Sequence, residues 1–139
     1  MLLVAGLLLA PARIRAEDRR YQVIVNAQNP VESMSRTDVA KLFLDRTARW
    51  REGGTAAPVD LSLTSTVRAA FSRDVLGFTL PAVKNYWDKR MMANHEMPPP
   101  VRSSDAEIIA HVAKNKAGIG YVSGAAPLEP AVKVLKLLD

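Results

Sequence analysis

Apolar and polar positions change their period several times along the chain, and each change marks an element. Residues 2–10, LLVAGLLLA, form an unbroken apolar run. It is too short for a transmembrane helix, which needs about 20 apolar residues, and it suits the apolar core of a secretory signal peptide. Small residues follow at Ala10-Pro11-Ala12 and at Ala16, so cleavage is expected after Ala16, with Ala12 as the other position. No Lys or Arg precedes the run, which points to a true start further upstream; an uncleaved N-terminal anchor and a buried first helix are the alternatives to export. Residues 17–139 then read as a single domain.

In that domain, YQVIVN (Tyr21 to Asn26) alternates and is rich in β-branched residues, the pattern of a strand. Asn29-Pro30 breaks it. Ser35 and Asp38 have the spacing of a capping box, and Val39, Leu42 and Phe43 give the apolar stripe of a first helix. Arg46 to Pro58, with Gly53-Gly54, reads as a loop whose Trp50 packs on the body. Val59 to Ser62 is a short strand candidate, followed by a helix with Val67, Ala70, Phe71 and Val75 inward and Gly77 as its stop. Pro81 suits the first turn of a third helix, with Val83, Tyr86 and Trp87 inward. Pro98-Pro99-Pro100 is a stiff connector. Ser104 and Glu107 repeat the capping-box spacing ahead of Ile108, Ile109 and Val112, and Ala117-Gly118 ends that helix. Ile119 to Val122 and Val132 to Leu137 are the last strand candidates. The order β-α-β-α-α-α-β-β favours an α/β layer with a mostly parallel sheet flanked by helices.

Composition narrows the chemistry. Apolar residues are 48% and charged residues 24% of the chain, values of a soluble globular protein. The absence of cysteine excludes a disulfide framework, a thiolate metal site, an iron–sulfur cluster and a cysteine nucleophile. The formal charge is +5. Removal of residues 1–16 would take Arg13 and Arg15 with it, which weakens any nucleic-acid argument built on charge.

Four segments, in order, carry a resemblance: VIVNAQNP, SRTDVAKLFLDRTARW, VDLSLTSTVRAAF and AGIGYV. With them the chain resembles the phosphate-type periplasmic substrate-binding proteins of ABC transporters. The resemblance runs from about Tyr21 to Val122. It implies a periplasmic-binding-protein-like lobe, an exported protein, a small oxyanion such as phosphate as ligand, and an ABC permease as membrane partner. Members of the family have two lobes that close on the anion, and this chain has the length of one. Two copies pairing as a homodimer would be one way to rebuild a closed cleft.

The candidate site is legible without the family. A strand that runs through Ser62, Thr64, Ser65 and Thr66 into a helix start points free backbone N–H groups outward, and these favour an anion. The hydroxyls add donors. Arg68 in the first turn either contacts the anion or is solvated, or pairs with Asp60 or Asp74. Ser and Thr are also the ordinary capping residues of any helix. The family's loop, R-x-D-G-S-G-T, is glycine-rich, whereas this one contains no glycine. Ser65 and Thr66 are the positions that carry over from it.

Other constellations point elsewhere. Met91, Met92, His95 and Met97 have the ligand types of a Cu(I) site, or else Met91 ends a helical stripe and the others fill gaps beside the prolines. His95 and His111 lack zinc spacing. Arg46, Arg49 and Arg51 beside Trp50 suit an anionic surface, a partner protein or solvent. No nucleophile or phosphate-loop motif is present. The expectation is a protein that is not an enzyme, with no cofactor and no metal, binding an oxyanion. The alternative is an interaction module derived from a substrate-binding lobe that no longer binds ligand.

Overall fold

A computed structural model describes residues 20–139; the expected signal peptide lies outside them. Strand β1 (Gln22–Asn26) occupies the sequence-predicted position. Val23, Ile24 and Val25 are all buried, so both faces of β1 are covered. A three-residue strand β2 (Ser33–Ser35) leads into helix α1 (Arg36–Leu44). Ser35 caps α1 by accepting from the Asp38 N–H at 3.1 Å, and Val39, Leu42 and Phe43 are buried as their spacing predicts.

The expected loop contains one further pair of strand residues, β3 (Ala57–Pro58), and only Val59 separates it from β4 (Asp60–Leu61). Helix α2 (Thr66–Phe71) continues as a π-helical turn, Ser72–Leu76. Gly77 closes it at φ 73°, the left-handed region that a residue without Cβ enters freely. Helix α3 (Leu80–Asn94) has Pro81 in its first turn and buries Val83 and Trp87. Strand β5 (Val101–Arg102) follows the prolines, then helix α4 (Asp105–Lys114), strand β6 (Gly118–Val122), and two short strands, β7 (Val132–Val134) and β8 (Lys136–Leu138).

The main sheet has the order β3-β6-β1-β7, with β2-β8 and β4-β5 as two-stranded annexes. The expected α/β layering is present, and the pairs β3/β6, β2/β8 and β4/β5 are parallel. The centre of the sheet is a correction to the mostly parallel expectation. β1 lies antiparallel to both β6 and β7. Its neighbours come about a hundred residues later in the chain, so the alternation of strands and helices around β1 carries no information on its direction.

Consecutive residues of β6 face the two helix layers. A Cβ on Gly120 would lie 2.8 Å from Ile108 and 3.3 Å from Val112 of α4. This close approach admits only glycine. Tyr121 faces the other way, with its ring stacked on Phe71 of α2 at 3.9 Å and 5.9 Å from Phe43 of α1. The sheet therefore sits between α4 and the α1/α2 pair. Asn26, at the end of β1, donates from its amide to the Val112 and Ala113 carbonyls, which satisfies the otherwise open end of α4.

Candidate anion-binding edge

Strands β3, β4, β5 and β6 advance in one sense, so their carboxyl ends lie along one edge. In open α/β sheets this edge is where ligands sit. Three segments follow those ends: 62–65 after β4, Ser103-Ser104 after β5, and Ser123 after β6.

The two helix starts on this edge differ. At α4, Ser104 caps the Glu107 N–H, while the Glu107 carboxylate accepts from the N–H and hydroxyl of Ser103 at 2.8 Å. Asp105 accepts from the N–H and hydroxyl of Ser123. Two carboxylates thus hold the start of α4 and repel anions. At α2 the first turn holds no acidic residue. Ser65 caps it, its hydroxyl oxygen accepting from the Arg68 N–H at 3.1 Å. Ser62 and Thr64 hydroxyls are bonded to each other at 2.7 Å, and the Thr64 N–H donates to Ser62. Leu63 stands out at the tip of the turn, 50% exposed. The structure thus gathers Ser62, Thr64, Ser65 and Thr66 into one turn.

Arg68 does not join them. Its side chain is only 8% exposed. The guanidinium Nη1 donates to the Leu61 carbonyl at 2.7 Å, and Nη2 lies 3.7 Å from the Asp60 carboxylate. Of the roles left open by the sequence, the structure takes the pairing with Asp60. The reason is the depth of the position: Arg68 falls on the inward stripe of α2 with Ala70 and Phe71, where a charge must be paired and hydrogen-bonded.

Sequence reasoning understated the cluster behind the turn. The Tyr121 hydroxyl donates to Asp60 Oδ1 at 2.8 Å and accepts from the Leu61 N–H at 3.2 Å. Burial pushes the Asp60 carboxyl above its usual range, opposed by the Arg68 guanidinium and the Tyr121 hydroxyl. Burial, followed by the Asp60 charge, pushes the Tyr121 phenol up as well. A signal for this pair exists in the sequence: a tyrosine inside the apolar strand GIGYV needs a buried partner for its hydroxyl.

A depression of about 320 Å³ reaches Thr66 from the flank of α2, with Arg20 and Arg73 on its rim. These exposed arginines are the cations nearest in kind to the one Arg68 was expected to supply. A larger groove of about 970 Å³ runs between β2, α1 and the 48–52 loop, with Lys41, Arg49 and Arg51 along it. Trp50, at its floor, is buried and donates its indole N–H to the Ala117 carbonyl at 3.0 Å. It packs on the body as expected, so it is no exposed interface anchor.

The gap-filling expectation is corrected for Met92 and Met97, which are 83% and 61% exposed, and Met91, expected to end the helical stripe, is 40% exposed. His95 is the left-handed C-cap of α3 at φ 56°. His111 is half-buried, with an enclosed Nε2 that has no hydrogen-bond partner.

No protein-family model matches the chain, and no curated protein matches it in sequence. Solved structures do match. A protein from Clostridium perfringens, described as a phosphate ABC transporter substrate-binding protein and solved with bound phosphate, aligns over 86% of this chain and 45% of its own, at 19% identity and a TM-score of 0.64. An ABC-type phosphate transport receptor from Vibrio cholerae aligns over 86% and 46%, at 19% identity and 0.64. PstS from Borrelia burgdorferi aligns over 86% and 47%, at 13% identity and 0.62. The chain has the fold of part of these proteins and spans less than half the length of each.

Proposed function

We propose that this chain is an exported, substrate-binding-like lobe of the phosphate ABC transporter type, which holds a small oxyanion weakly at the turn Ser62–Thr66 and docks on a membrane permease. The observation that carries this reading is the alignment of 86% of the chain with one protein described as a phosphate ABC transporter substrate-binding protein and another described as a phosphate transport receptor. The first turn of α2, which holds no acidic residue of its own, supports the location. Ser65, Thr66 and the first-turn N–H groups of α2 are the donors; Ser62 and Thr64 shape the turn. Arg68 acts from behind the turn rather than on the ligand, and Arg20 and Arg73 supply the positive field on the flank.

Magnitude follows from the exposure of the turn. A few net hydrogen bonds of about 1 kcal/mol each amount to about millimolar affinity. Titration calorimetry of the protein from Glu17 onward, with phosphate, sulfate and molybdate, should show such weak binding by the monomer. Sub-micromolar binding by a monomer would overturn the half-site. A native mass spectrum with the same anions reads the oligomer: a two-copy complex appearing only with phosphate would mean that a second copy closes the cleft.

The exposed Leu63 at the tip of the turn, together with the inward Arg68, favours a second reading. In it the same edge docks a partner protein and holds no anion. Absence of binding for all three anions, with a pull-down partner lost on Leu63→Asp, would decide for it.

A further inference from the structure

Leu61 is the last residue before the turn, and side chains from two other elements hold both of its backbone polar groups. Its N–H donates to the Tyr121 hydroxyl of β6, and its carbonyl accepts from Arg68 of α2. Two residues earlier, Val59 still donates to the Ile119 carbonyl as a continuation of the β3/β6 ladder. At Leu61 the chain has left that ladder, and the tyrosine hydroxyl bridges the gap. Asp60 turns to the other side, its N–H donating to the Pro100 carbonyl at 2.9 Å.

The hydroxyl is not free to move. Its ring is stacked on Phe71 with an interplanar angle of 10°, and Tyr121 is fully buried. The core thus fixes a point in space at which β4 departs from β6. We propose that Tyr121 is the positioning residue of the anion-binding turn. Its hydroxyl sets where Leu61 leaves the sheet, and therefore where the Ser62–Ser65 turn and the first N–H groups of α2 point. Asp60 is the acceptor that orients the hydroxyl, and Arg68 fixes the other side of the same peptide. The role in binding rests on the oxyanion reading above.

Tyr121→Phe keeps the stacked ring and removes only the hydroxyl. The Leu61 N–H and Asp60 Oδ1 then lose a buried partner. In amide-resolved NMR, the resonances of residues 62–67 should shift without ligand, and exchange of the Leu61 N–H should accelerate at least about tenfold. The amides of Ile24 and Val25 should stay in place, which shows an intact core. Titrated with inorganic phosphate, the variant should bind about three- to tenfold more weakly than wild type. Unmoved turn amides and an unchanged Kd would overturn the proposal. A wild-type protein whose turn amides ignore phosphate would instead overturn the oxyanion reading, while the shifts and exchange in Tyr121→Phe still decide the positioning. Should that variant fail to fold, hydrogen exchange in the wild type serves as the second arm: the Leu61 N–H, held by the buried hydroxyl, should exchange with the core amides of β6 rather than with the amides of residues 62–65. Exchange of the Leu61 N–H at the rate of the turn would overturn the proposal.

Discussion

At the scale of single residues, the most consequential group is Asp60. Burial raises its carboxyl above the ordinary value of 3.8, with Arg68 and Tyr121 opposing. The folded protein therefore keeps the Asp60 proton to a higher pH than the unfolded chain. Between about pH 4 and the folded-state value, folding retains a proton that unfolding releases, so this group's contribution falls as pH rises. Asp60→Asn has no such proton. Urea melts across pH 4 to 8 should show the variant gaining on wild type as pH rises, whatever the constant offset from leaving Arg68 without its partner. A difference that does not change with pH would mean that Asp60 titrates as it does unfolded. The local part of this site was legible in the sequence: the caps at Ser35, Ser65 and Ser104 each bond a residue three positions on. The partners of Arg68 were not. The sequence left Asp60 and Asp74 equally placed, and the choice depends on Tyr121, 61 residues from Asp60.

At the scale of elements, the four helices were legible because each combines a cap with an apolar stripe. β2, β3 and β5 were not, since two or three residues cannot display a period of two. β3 borrows the edge of the longer β6, whereas β2 and β5 pair with strands as short as themselves, β8 and β4. α3 was legible as a helix but not in its attachment. None of its residues belongs to the main hydrophobic cluster around β1 and β6. Its ties outside that cluster include the Tyr86 hydroxyl donating to the Leu44 carbonyl at 2.6 Å, whereas the Arg90–Glu96 pair at 2.7 Å only closes the helix's own end. Few buried apolar contacts mean a low local opening free energy. Native-state hydrogen exchange should show the amides of α3 opening in a unit separate from, and weaker than, those of β1, β6 and α4. Equal protection in α3 and β1 would show that Val83 and Trp87 tie the helix into the global unfolding unit.

At the scale of the whole molecule, the fold closes late. β1 is the central strand, yet it pairs with Ile119–Val122 on one side and with Val132–Val134 on the other. The loop-closure entropy of about a hundred residues is lost before either ladder forms, which places the chain among slow-folding topologies. The C-terminal residues are also structural in bulk: Val132 and Leu135 are buried, and the Leu135 N–H donates to the Val23 carbonyl at 2.8 Å. A chain ending at Glu129 would expose one edge of β1, whose Val23, Ile24 and Val25 are apolar and flat, a template for aggregation. It should lose the cooperative calorimetric transition of the full chain and precipitate on heating. Retention of a single sharp transition would show that β6 alone suffices to hold β1. The edge formed by the carboxyl ends of β4, β5 and β6, with Tyr121 behind it, would then fold independently of β7 and β8.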